Sequence, residues 1–137
     1  MEKRRKVNCV VNPLVSDKLK EWGEERNIVV FRTEHWEDRY VEMCLTETEI
    51  EQVDEFIDDL YGRLLEAECS ICGGKGSYLM DDKEKKTYDN YQFLGREMGL
   101  LQDVFPKIPA WIRSGCIDKY SGGFCICPQC AKNETEV

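Results

Sequence analysis

The chain has one histidine, His35, among 137 residues. A hydrolase of the Ser-His-Asp kind would have to use it, and the acids around it are too many to single out a partner. A nucleophilic pair of Cys44 with His35 across a hairpin is conceivable in chemistry but has no other support. Also missing is a glycine-rich phosphate loop of the Walker type. The Asp81-Asp82 pair suits a turn better than a magnesium site. No apolar run approaches the ~20 residues that cross a bilayer, so no membrane association is expected. The start, MEKRRKVNCVVNP, is basic, but only Val7 to Val11 precede Asn12-Pro13. That is too short for a secretory signal, and the expected compartment is the cytoplasm. No catalytic constellation emerges, and no enzymatic activity is expected.

An excess of positive charge is lacking too. The formal net charge is −8, and it lies in the first half: residues 1–68 carry 18 acids and 10 bases, whereas residues 69–137 carry nine of each. Between Glu34 and Glu68 there are 13 acids against Arg39 and Arg63 alone. Such a segment repels phosphate and is attracted to basic surfaces, including those built to hold nucleic acid. A solvated helix face is the simplest structural account of such a run.

What is present begins with an alternating stretch, KVNCVVN, whose Val7, Cys9 and Val11 share one face of a strand. Ser16 is positioned to cap a helix with Val15, Leu19 and Trp22 at helical spacing. The segment from Ile28 to Thr33 reads as a second strand. Arg39 to Leu45 reads as a third, joined to it by a hairpin turn. Thr46 and Glu49 form a capping box, and Ile50, Val53, Ile57, Leu60 and Leu64 follow as the apolar stripe of a long helix. Its outer face carries Glu51, Asp54, Glu55, Asp58 and Asp59. The order β-α-β-β-α is a ferredoxin-like or ACT-like sandwich without its last strand. Beyond it, Ser77 to Met80 suits a short strand that turns through Asp81–Lys86 and returns near Thr87 and Tyr88. A second helix is expected from Asp89 to Phe105, with Tyr91, Leu94, Met98, Leu101 and Phe105 as its stripe and Pro106 as its stop. Lys119 to Gly123 reads as a loop, and the last seven residues as a loose tail. The expected class is α+β: an acidic half, 1–68, packed on a helix-containing four-cysteine module, 69–137.

Eight cysteines is a high number. A disulfide framework belongs to exported chains, whereas two distant Cys-x-x-Cys pairs point to a metal. Cys69 and Cys72 are followed by Cys127 and Cys130, with 55 positions from Cys72 to Cys127. Four thiolates at tetrahedral corners make a coordinatively full zinc site, so the expected cofactor is one structural Zn2+. The glycines at 73, 74 and 76 permit positive φ and leave amides to bond the thiolates. Thiol–disulfide exchange is the competing use of such a pair, but it needs no second, matched pair. Cys125 is a candidate substitute ligand through a Cys125-x-Cys127 arrangement. Phe124 and Ile126 are placed to pack around the site. Cys9 reads as a small core residue, and Cys44 falls on the opposite strand face from Met43 and Leu45. The string C-S-I-C-G-G-K-G, residues 69–76, resembles one repeat of the cysteine-rich zinc domain of DnaJ-type chaperones, Cys-x-x-Cys-x-Gly-x-Gly. The resemblance implies a zinc knuckle at Cys69 and Cys72. Those domains carry four such repeats, while here the CPQC pair lacks the glycines and no His-Pro-Asp signature occurs.

Three functions fit these features. The first is a protein-binding regulator or inhibitor whose acidic helix face docks on a basic partner surface, imitating the charge of nucleic acid. The second is a nucleic-acid-associated zinc protein using Lys75, Lys83, Lys85 and Lys86 with Tyr78 and Tyr88, a reading disfavoured by charge. The third is an ACT-like small-molecule sensor.

Overall fold

In a computed structural model, residues 3–118 and 122–135 are described. Most of the loop expected at 119–123, and the last two residues of the tail, lie outside them. No described helix is long and apolar enough to cross a membrane. The chain is α+β and forms two compact units, Met1–Gly62 and Arg63–Val137.

The first unit follows the expected order. Strand β1 (Arg5–Val11) leads to helix α1 (Pro13–Glu25), then β2 (Phe31–His35), β3 (Asp38–Leu45) and helix α2 (Glu47–Arg63), whose last residue opens the second unit. The sheet order is β1-β3-β2, with β3 antiparallel to both neighbours. Alternation in β3 buries Val41, Met43 and Leu45 on one face and exposes Cys44 on the other. Cys9 lies opposite Val41 and is half-buried. From the helices, Val15, Leu19, Trp22, Val53 and Leu60 are buried. Trp22 and Phe56 stack with ring centres 6.4 Å apart, which ties α1 to α2.

The helix starts show which local rules prevailed. Thr46 and Glu49 form the reciprocal box at α2, at 3.2 and 2.9 Å. The cap of α1 is Asn12 and not Ser16. Its side chain accepts the Leu14 amide at 2.8 Å, and Pro13 occupies the first helical position, where a missing N–H costs nothing. Ser16 is buried instead, its hydroxyl without a hydrogen-bond partner among the described residues. Gly23 is required by a close approach: a Cβ there would lie 2.6 Å from Val30 and 2.7 Å from the Ile28 carbonyl.

In the second unit, β4 (Leu64–Glu68) pairs antiparallel with β5 (Lys75–Leu79). Leu64 therefore opens a strand and does not extend the α2 stripe. Leu65 and Ala67 are buried, while Glu66 and Glu68 are exposed, a period of two. Helix α3 (Asp82–Leu94) comes where a strand return was expected, because Asp81 and Glu84 make a capping box at 2.7 and 3.0 Å. The single helix expected at 89–105 is broken. A 3-10 turn at Gly95–Met98 and helix α4 (Leu101–Val104) replace its second half. Gly95 (φ 58°) and Gly99 (φ 114°) take left-handed backbone that a helix cannot hold. Helix α5 (Ala110–Ile112) passes into a π turn at Arg113–Ile117, and α6 (Pro128–Thr135) stands where a loose tail was expected. The core gathers Leu65, Met80, Tyr91, Phe105, Ile108, Ile112 and Ile117.

Candidate metal centre

Strand β4 ends at Glu68, which delivers Cys69 directly into the turn before β5. Within that turn the Cys69 amide donates to the Gly74 carbonyl at 2.8 Å and the Gly73 amide to the Cys69 carbonyl at 2.9 Å. Gly73 adopts φ 74°, as its place after the pair required. The Gly74 amide then reaches the Cys72 sulfur at 3.3 Å. The second pair is held by a helix: Cys127 precedes α6 and Cys130 lies in its first turn, one helical turn apart. That is also the positive end of the helix dipole, which favours thiolate.

The two pairs meet. Sulfurs of Cys69, Cys72, Cys127 and Cys130 all lie within 4.8 Å of one another, and Cys72 and Cys127 are 3.7 Å apart. A tetrahedral ion with bonds of about 2.3 Å spaces its sulfurs about 3.8 Å apart. The four side chains therefore fit a single metal ion, with a donor set of soft sulfur suited to zinc. A staple away from the sulfurs joins the segments: the Ser70 amide donates to the Cys125 carbonyl at 2.8 Å, and the Cys125 amide to the Ser70 hydroxyl at 3.2 Å.

The electrostatics are uneven across the cluster. The Cys127 amide, 3.3 Å from the Cys69 sulfur, is the leading cause that lowers the Cys69 thiol to about 6, helped by amides of its own turn. Cys130 is pushed up to about 12, chiefly by hydrogen bonding with the Cys127 and Cys72 thiols. The surroundings thus favour the thiolate at Cys69 and the protonated thiol at Cys130.

Cys125 is no member of the four. It is buried, and its thiol donates to the Glu68 carbonyl at 3.1 Å, so its sulfur is already used. Cys116 does the same with the Glu66 carbonyl. Phe124 is largely exposed, while Ile126 is half-buried. His35 is exposed opposite Asp38 at one end of β3, and Cys44 lies near the other end opposite Lys6, so the two do not form a nucleophilic pair. Asp81 caps α3 and Asp82 pairs with Arg63, which absorbs both acids into structure.

One supporting contact was hidden in the sequence. A Cβ on Gly76 would lie 2.3 Å from the Trp111 ring, so the indole can approach β5 this closely only because this residue is glycine. Gly76→Ala is expected to cost about 1–3 kcal/mol by forcing the ring away. A urea titration read by tryptophan emission checks it; an unchanged midpoint would show that the ring is free to move.

These features define an α+β chain with a four-cysteine cluster whose geometry fits a metal ion. No protein-family model, curated protein or solved structure matches it, so the resemblance of residues 69–76 to a DnaJ-type repeat has no family behind it.

Proposed function

We propose that the four cysteines hold one structural zinc ion and that the protein is a binding regulator or inhibitor, which docks the acidic face of α2 on a basic surface of another protein. The observation that carries the reading is the placement of charge. Glu51, Asp54, Glu55, Asp58 and Asp59 are all exposed on one helix. The bases at the start of the chain serve other acids: Arg4 pairs with Glu49, Arg5 with Glu47 and Lys6 with Glu42. Glu51, Asp54, Glu55 and Asp58 have no ion-pair partner among the described residues. A coordinatively full metal site supplies rigidity and no open position for chemistry. The nucleic-acid reading is weaker, since Lys85 already pairs with Asp89 at 2.9 Å and lies over the Tyr88 ring.

Affinity capture from a cell lysate, repeated with the five acids changed to lysine, tests the reading. The native chain should retain a partner that the reversed chain loses by at least about tenfold, a difference of about 1.4 kcal/mol. A partner retained equally by both would remove the acidic face from the interface. Binding of the native chain to generic DNA at low salt would favour the nucleic-acid alternative.

A further inference from the structure

Strand β1 forms an outer edge of its sheet. It pairs with β3 without a bulge from Arg5–Leu45 to Val11–Arg39, and no described residue pairs with its other side. A β-α-β-β-α unit completes its sheet when the next strand lies beside β1. Here the next strand, β4, pairs with β5 instead.

Helix α2 runs along the same edge in the same direction as β1. Near its start Glu47 meets Arg5 at 3.1 Å, midway Asp54 acts electrostatically on Cys9, and near its end the Tyr61 hydroxyl accepts the Asn12 amide at 3.1 Å. Residues 47, 51, 54, 58 and 61 fall on one stripe of a helix. The opposite flank faces α1, where Phe56 meets Trp22. Ile50 and Ile57 lie between the buried row of α2 and this stripe, and both remain half-buried. The place beside β1 thus has unpaired backbone groups on one side, an apolar shoulder, and an acidic rim at Asp54 and Asp58.

We propose that this groove receives an extended basic segment of a partner protein, which adds to β1 as a fourth strand and carries Lys or Arg at alternate positions. Main-chain bonds to β1 supply affinity, and alternate side chains supply specificity. Their aliphatic stems cover Ile50 and Ile57 while their charges reach Asp54 and Asp58. Lys and Arg on an edge strand ordinarily ward off such pairing, but Arg5 and Lys6 are already held by Glu47 and Glu42 and do not repel a basic visitor. A second copy of this chain is the poorer occupant, since a two-fold axis at β1 would bring two acidic α2 stripes together. The proposal rests on the binding-regulator reading and narrows it to one flank of the helix.

The probe is a short synthetic peptide alternating lysine and threonine, offered to the full chain at low salt. Its comparator alternates lysine and proline, which has the same charge but cannot donate to a ladder. The lysine–threonine peptide should bind at least about tenfold tighter and slow amide exchange in β1 but not in β2. Asp54→Lys with Asp58→Lys should weaken it by about tenfold, while Glu55→Lys, on the other flank, leaves it unchanged. Equal affinity for the two peptides, or β1 amides that exchange as before, overturns the groove yet leaves the acidic-face reading standing. Binding of neither peptide also overturns the groove, and capture with the reversed helix then decides the wider reading separately.

Discussion

Stripping the metal with a chelator, or replacing Cys127 with serine, should unfold the Arg63–Val137 unit. Structural zinc sites contribute apparent free energies of about 10–16 kcal/mol at neutral pH, as large as the whole stability of an ordinary domain, about 5–15 kcal/mol. Apart from its apolar core, the unit's regular structure is weak. Its sheet has two strands, too few for independent stability, and α6 is a short helix, marginal without tertiary support. Hydrogen exchange provides the readout: amides of β4 and β5 should lose protection on chelation, and elemental analysis of untreated protein should return one metal per chain. A Cys127→Ser chain as stable as the parent would refute the centre. Acid should act in the same direction as the chelator, because protons compete with the metal for sulfur. The Cys69 thiol, lowered from 9.0 to about 6, shows the sign even in the metal-free fold. Its contribution is complete above pH 9, declines as pH falls, and is gone once pH drops through about 6.

Phe105→Ala should cost the same unit about 3–5 kcal/mol, the range for truncating a buried phenylalanine. Phe105 is fully buried and meets Tyr91 edge-on, with ring centres 6.3 Å apart. The core around it includes Ile108, in the turn after Pro106, and Ile112 of α5. Truncating Phe105 opens a cavity among these side chains. A denaturant midpoint measured with metal bound reports the loss. A variant within about 1 kcal/mol of the parent would mean that the site closes over, as tolerant core positions do.

Much of the first unit could be read from residues alone. The β2–β3 hairpin, the Thr46–Glu49 box and the α2 stripe all depend on neighbours within a few positions, where steric and hydrogen-bonding rules are local. The second unit was harder. The stripe from Tyr91 to Phe105 has helical spacing throughout, yet Gly95 and Gly99 break it, since spacing reports which residues face the core and not whether the backbone stays helical. Strand β4 was hidden because Leu64 also fits the end of the preceding helix, and only pairing with β5 resolves LLEAE as a strand. Gly76 could be seen as part of a glycine run, but its partner Trp111 lies far along the chain.

Sequence by itself determined the chemistry of the centre, four thiols in two local turns, and the sign and position of the charge on α2. Both are properties of residue type and short spacing. Tertiary structure decided which of the eight sulfurs converge, because Cys125 is diverted to the Glu68 carbonyl while Cys130 is brought round by a helical turn. It also decided that β4 pairs with β5, so that no strand among the described residues lies on the outer side of β1. Those outcomes depend on contacts between residues distant in the chain, whose free energies compete only once the whole backbone is in place.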